Sequence, residues 1–353
     1  MKTYFNILGH EGKSIKAKKW NPDETPPKAV LLVVHGIGEH SERYNHFANF
    51  LTANGLAVVA YDHRGHGKTD PDQLGYISDE NGFDLLVNDL KYVFEEIHKT
   101  YPDIPLILFG HSMGSFITQR FMQIFDHHPS GIIYSGSSGK PPISLYAGIP
   151  VALLIKKVFG PAHTSSFIHN LVFGAYNKKF KPNRTEVDWL SRDRDMVDLH
   201  VDDPKCGFIS SISLYHQLFT GLKALHSHQP FANHDPGTPV LLISGDHDPV
   251  SNMGKGVHNL EKLLISSGLK NVNKKLYPGG RHEMLNEINR DEVMNDILEW
   301  IEKEVNIKKI TVDCKTQKTY RQNFPGDCHY SAGSPAAFEG LQSRQRTHSR
   351  GTY

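Results

Sequence analysis

Three residue types in one order define the chemistry open to this chain: a serine at Ser112, an aspartate at Asp248 and a histidine at His282. Ser112 lies in Gly110-His111-Ser112-Met113-Gly114, directly after the apolar run Leu106 to Phe109 and before residues that can open a helix. A serine in the middle of such a strand-to-helix turn is forced into a strained backbone conformation, with its hydroxyl clear of the sheet where an ester carbonyl can approach. A serine hydroxyl is a poor nucleophile at neutral pH, so it needs a base to take its proton and a carboxylate to hold that base. With the serine at such a turn, the partners are expected downstream, acid before histidine, on loops at strand ends. Gly245-Asp246-His247-Asp248-Pro249-Val250 leaves the apolar run Pro239 to Ser244, and His282 follows Pro278-Gly279-Gly280-Arg281. Asp248, further out along its loop, is taken as the carboxylate. Asp246 is expected to be a turn former bonding its own backbone, and His247 a bystander.

The oxyanion that develops when an ester is attacked needs two N-H donors fixed beforehand. The backbone N-H groups of Met113, just after the serine, and of Ile37, in the loop His35-Gly36-Ile37-Gly38-Glu39-His40, are in place for that. His35 reads as a brace for this loop. Arg64 and His66, in Asp62-His63-Arg64-Gly65-His66-Gly67, read as structural, since a polar loop beside the serine needs buried bonds of its own.

The elements that must hold these loops follow from periodicity. Phe5 to Leu8 and Ile15 to Trp20 flank a glycine turn and read as an edge hairpin. Ala29 to Val34, Leu56 to Tyr61, Leu106 to Phe109, Gly131 to Ser135 and Pro239 to Ser244 are short apolar runs of the kind buried on both faces of a parallel sheet. Between them, Tyr44, Phe47, Ala48 and Leu51 mark a helix over Ser41 to Ala53, and Phe83, Val87, Leu90, Phe94 and Ile97 mark a longer one. Val257, Leu260, Leu263 and Leu264 mark a third, Asn273 to Tyr277 a last strand, and Val293 to Val305 a closing helix. The alternation predicts an α/β sheet with helices on both faces. It breaks down over 137–227, where apolar segments such as Ile149 to Phe159 and Phe167 to Phe173 predict an inserted helical cap. The expected organisation is a core over 1–136 and 228–305, the cap between them, and a disordered basic tail over 306–353.

At 353 residues and 38% hydrophobic content the chain can bury a full core, and a formal charge of +1 gives no reason to expect a nucleic-acid partner. Cys206, Cys314 and Cys328 are too few and scattered for a disulfide framework or a zinc site, and the histidines do not fall in ligand spacing with cysteines or carboxylates. Gly36-Ile37-Gly38 lacks the third glycine of a dinucleotide cradle, so neither metal nor cofactor is expected. Met1 to Lys19 has no signal-peptide core, and no run approaches the ~20 apolar residues of a spanning helix. The expected location is therefore the cytoplasm.

Taken together, His35-Gly-Ile-Gly-Glu-His-Ser-Glu-Arg-Tyr44, Asp62-His-Arg-Gly-His-Gly67 and Gly110-His-Ser-Met-Gly114 resemble the monoacylglycerol lipase and lysophospholipase group of α/β-hydrolases. Gly245 to Val250 and Arg281-His282-Glu283 resemble that group's acid and base segments, which supports Asp248 and His282. The resemblance implies the α/β-hydrolase fold, with a mostly parallel eight-stranded sheet and a lipid-facing cap that could touch a membrane peripherally. It also implies hydrolysis of an ester with one acyl chain, a monoacylglycerol or lysophospholipid, through an acyl-enzyme. The residues alone leave open a general carboxylesterase, a thioesterase or a peptidase with the same three groups, and a non-catalytic binding module.

Overall fold

The computed structural model describes residues 2–23, 26–140, 143–227, 235–305 and 307, so the expected tail falls, but for Ile307, outside the described residues. Strands β1 (Lys2–Leu8), β2 (Ser14–Trp20), β3 (Val30–Val34), β4 (Ala57–Tyr61), β5 (Leu106–His111), β6 (Gly131–Ser135), β7 (Val240–Gly245) and β8 (Val272–Tyr277) form one eight-stranded sheet in the order β1-β2-β4-β3-β5-β6-β7-β8. The hairpin β1-β2 and the pair β2-β4 are antiparallel, and every pair from β4 to β8 is parallel. The expected edge hairpin is thus at the edge, and the serine strand β5 lies in the middle.

Each parallel strand sends alternate residues to opposite faces, as period-two geometry requires. Val30, Leu32 and Val34 of β3 with Leu106 and Leu108 of β5 join one core. Leu31 and Val33 with Ile107 and Phe109 join the other. Helices α1 (Asn45–Ala53), α2 (Gly82–Thr100) and α3 (Met113–Ile124) follow β3, β4 and β5. Phe47, Ala48 and Leu51 of α1 close the second core, whereas the α2 residues Phe83, Val87, Leu90, Phe94 and Ile97 close the first. The helix expected from Ser41 instead opens as a 3-10 turn over Ser41–Tyr44, because His40 turns its side chain back to accept from the Glu42 N-H.

Between β6 and β7 the described residues form the helices α4 (Ile143–Phe159), α5 (Ser166–Val172), α6 (Gly174–Asn177), α7 (Arg194–Asp202) and α8 (Ile212–Ser227). Of these, α4, α5 and α8 share a small core of Ala152, Ile168, Ile212, Tyr215, Phe219, Leu222 and Leu225. The sheet side is completed by α9 (Lys255–Ser266) and α10 (Arg290–Glu304). Among the described residues no helix is long and apolar enough to cross a membrane.

Two loops at the carboxyl ends of β3 and β4 are knitted together by neutral histidines. His35 Nε2 accepts from the His63 N-H at 3.0 Å, so its Nδ1-H donates to the Gly36 carbonyl at 2.7 Å, the bracing role expected of it. His63 Nε2-H donates to the His35 carbonyl at 3.0 Å, and His66 Nε2 accepts from Gly38 N-H at 3.2 Å. Arg64 is structural too, forked onto buried Asp89 at 2.6 and 3.0 Å. Burial, with the neighbouring histidines, holds His35 well below its ordinary value and His63 at about 3; burial lowers His66 as well.

Imidazoles that stay neutral when folded but take protons when unfolded make the unfolded chain bind more protons below its value of 6.5. Their contribution is fully present above that value and is lost as pH falls from about 6.5 toward 3. Thermal unfolding from pH 7.5 to 5 should show a steep loss of Tm, shallower in His63→Asn; equal slopes would refute this source. At the serine turn, a Cβ on Gly114 would stand 2.0 Å from the Val34 carbonyl oxygen and 2.5 Å from that of His35. Gly114→Ala should therefore lower stability by about 3 kcal/mol or more, beyond ordinary overpacking, read from the urea midpoint; an unchanged midpoint would show that α3 does not seat there.

Candidate active site

The site is built at the carboxyl edge of the sheet, where β3, β5, β7 and β8 end. Ser112 joins β5 to α3 with φ 50° and ψ −121°, the sparsely populated conformation expected for it. Its own N-H is held by the Ser135 carbonyl at 3.0 Å, so β6 anchors the turn. The two flanking glycines are required by close approach, though against different neighbours. A Cβ on Gly110 would meet Thr118 and the Gly114 carbonyl of the following helix, at 2.7 and 2.8 Å, whereas Gly114 abuts the end of β3. That second approach brings Met113 beside the loop carrying Ile37.

In that loop the neighbours of Ile37 are committed. Gly36 N-H donates to Glu39 Oε1 at 2.6 Å and Gly38 N-H to His66. Among the described residues, the N-H groups of Ile37 and Met113 have no hydrogen-bond acceptor. Both N-H groups expected to serve as oxyanion donors are thus unengaged among the described residues.

Asp248 and His282 are brought together as expected. Asp248 Oδ1 lies 3.0 Å from His282 Nδ1, and both side chains are buried. Asp248 also accepts from the Val250 N-H at 2.8 Å and the Ser244 hydroxyl at 3.0 Å. Burial alone would push the Asp248 carboxyl up, but the charge and bond of His282 hold it below the ordinary range. For His282 burial opposes the proton, yet Asp248 outweighs it and holds the ring above its ordinary value. Asp246 corrects the expectation of a local turn: its Oδ1 accepts from Gly279 N-H at 2.7 Å, tying the β7 and β8 loops together. The His247 side chain is exposed and bonds Asp246 at 2.5 Å, while its N-H donates to the Gly280 carbonyl at 3.0 Å.

Ser112, His282 and Ile37 line one cavity of about 300 Å³. Its other walls come mainly from the segment inserted between β6 and β7: Phe173, Val187, Trp189, Leu190 and Phe208 are apolar, and His169, Asn170 and Lys178 are polar. The Trp189 ring packs at a tilt against that of His282, with centroids 5.1 Å apart. Nothing in the sequence marked Trp189, which is remote from every motif. Glu39, Arg43 and Glu283 also went unnoticed as individuals although they stand inside the motifs; the available signal was three charged residues flanking loops that must be buried.

Among the described residues, His40, Asp203 and Cys206 bring donor atoms within 4.8 Å of one another, a set drawn from distant segments that local ligand spacing could not reveal. As arranged they form a hydrogen-bonded pair beside a thiol. His40 Nδ1 accepts from Glu42 N-H, so Nε2 carries the proton and donates it to Asp203 at 2.8 Å, with no lone pair left for a cation.

A family model described as serine aminopeptidase, S33 (Hydrolase_4) matches residues 25–289. The monoacylglycerol lipase of Mycolicibacterium smegmatis is 29% identical over 301 residues, 84% of this chain and 95% of that protein. Human monoglyceride lipase is 27% identical over 299 residues, covering 84% and 89%. Among solved structures, a thermostable carboxyl esterase from Bacillus coagulans in complex with glycerol superposes with a TM-score of 0.79 at 30% identity, over 86% of this chain and 99% of that one. Since the family match spans well over half of the chain and the esterase shares its fold almost end to end, the chain belongs to the Hydrolase_4 family of α/β-hydrolases, as an enzyme of its esterase and lipase kind.

Proposed function

We propose that the protein hydrolyses a lipid ester with a single acyl chain, of the monoacylglycerol or lysophospholipid class, through an acyl-enzyme on Ser112. The observation that carries this reading is that a strained serine, the unengaged Ile37 N-H and His282 of a hydrogen-bonded His-Asp pair meet at one cavity walled by the inserted segment. In this reading His282 takes the Ser112 proton as the hydroxyl attacks the ester carbonyl. Asp248 holds the ring tautomer and stabilises the imidazolium, and Ile37 and Met113 N-H groups stabilise the oxyanion. The imidazolium then protonates the leaving alcohol, and a water activated by the same ring releases the fatty acid. The relatives named for monoacylglycerols support the substrate class.

The helices over 137–227 act in this reading as the cap, with Phe173, Val187 and Phe208 lining the acyl side. Their outer surface exposes Leu154, Val158, Phe159, Phe167 and Leu171 on α4 and α5, an apolar patch suited to touching the membrane from which such a substrate is drawn.

Fatty-acid release should be measured on monoacylglycerols and lysophospholipids of graded chain length, with short nitrophenyl esters and an amide alongside. A buried methylene contributes ~0.8 kcal/mol, so kcat/KM should rise roughly fourfold per methylene until the cavity is filled. Ser112→Ala should abolish turnover while folding normally. A flat series would move the reading to a small-ester hydrolase, and turnover confined to the amide would move it to a peptidase. Separately, Leu154→Ser with Phe159→Ser should reduce sedimentation with phosphatidylcholine vesicles and leave hydrolysis of short soluble esters unchanged; vesicle binding equal to that of the parent would remove the docking role.

A further inference from the structure

Behind the serine, base and carboxylate lie three charged groups that the chemistry above does not use. Arg43, Glu39 and Glu283 are buried together, their side chains 9%, 5% and 7% exposed. The Arg43 guanidinium meets Glu283 as a two-point fork, at 2.5 and 2.7 Å, and reaches Glu39 Oε2 at 3.3 Å. Glu39 Oε1 accepts from Gly36 N-H at 2.6 Å and from the Tyr44 hydroxyl at 3.0 Å. Glu283 also accepts from the Asn286 amide at 3.0 Å. One guanidinium therefore links Glu39, which holds the N-H of the residue preceding Ile37, to Glu283, the residue following His282. Burying such a set costs heavily in desolvation, and apolar residues of equal volume would stabilise a core as well or better. Its placement answers a different need, since these are the two loops whose separation decides whether oxyanion donor and base face the same carbonyl.

We propose, on the reading that Ser112 and His282 act as nucleophile and base, that Arg43 and Glu283 are positioning residues. Their ion pair holds the oxyanion loop at a set distance from the base loop, and the two carboxylates, against one guanidinium, favour the imidazolium formed during attack. The charged and titratable groups around His282 agree in sign. Asp248 is bonded to it, Glu283 and Glu39 lie on the Arg43 side, and all three favour the charged ring against its burial. His111 packs from the serine turn at 4.7 Å between ring centroids, and burial and His282 hold it neutral, at about 4. Arg43 and His200 face Glu283; burial would raise that carboxyl, but Arg43 above all holds it well below the usual range. Tyr176 faces Asp248 and is pushed up to about 12 by burial and that charge.

The test uses the full chain, with Glu283→Gln and Arg43→Lys assayed for ester hydrolysis across pH and for the rate of fluorophosphonate labelling at Ser112. Glu283→Gln removes a charge that favours the imidazolium, so the acid limb of kcat/KM should move to lower pH by on the order of one unit. Its kcat should fall about 10²-fold, the scale of a misplaced reacting group, with KM little changed. Arg43→Lys keeps the charge and loses the fork, so the limb should stay near that of the parent while kcat and labelling rate fall. Parent-like kcat and an unmoved limb in both variants would overturn the proposal and leave the Arg43, Glu39 and Glu283 cluster as a structural feature. If Glu283→Gln does not fold, Arg43→Lys decides alone, since parent-like kcat there refutes the positioning role. A parent that hydrolyses no ester and takes no label would instead overturn the hydrolase reading, and this proposal with it.

Discussion

The close approach of α3 to the end of β3 at Gly114 is the constraint on which the rest of the site depends. A helix that starts against two backbone carbonyls leaves no room for a side chain, so the chain must leave β5 through a turn in which Ser112 takes a positive φ. Such a backbone costs on the order of 1–3 kcal/mol and persists only where surrounding structure over-determines it. Here it is held by the Ser135 carbonyl on one side, by Gly110 against Thr118 beneath, and by a core in which every residue of β3 and β5 is buried. The same approach puts Met113 beside the loop of Ile37, so one packing event sets both the serine and the two candidate donors.

Around that turn the polar groups divide by what burial does to them. His35, His63 and His66 are kept neutral, and each spends its ring nitrogens mainly on loop backbone. Asp248 and His282 are also deeply buried but face each other, and the pair favours the charged forms on both sides. Identical residue types, a few ångströms apart, thus serve architecture in one case and the candidate chemistry in the other. The difference lies in whether the nearest partner is a carbonyl or a carboxylate.

The loop carrying His282 is secured from the inserted segment as well as from the core. Glu283 N-H donates to the Leu190 carbonyl at 2.8 Å, Arg281 reaches the Ser191 carbonyl at 3.0 Å, and buried Glu287 accepts from Arg192 Nε at 2.8 Å and Arg281 N-H at 2.9 Å. The segment 188–192 is therefore fastened to the loop that carries His282, with the Trp189 ring packed at a tilt against that of His282.

Much of this was legible along the chain because it is local. Period-two apolar runs mark strands buried on both faces, glycines mark a turn too tight for a Cβ, and acid and base on successive strand ends follow from the direction of a parallel sheet. One local rule extended to a single polar side chain failed: Asp246 bonds Gly279 across the loops rather than its own turn. The amino-acid sequence by itself determined the sheet, the order of its strand-end loops and the identity of Ser112, Asp248 and His282 as candidates, since backbone sterics and hydrophobic periodicity act over a few residues. Only the tertiary structure decided which buried charges meet. The Arg43 bridge between Glu39 and Glu283, and Trp189 over His282, join segments whose separation is closed by packing, and no spacing along the chain records it.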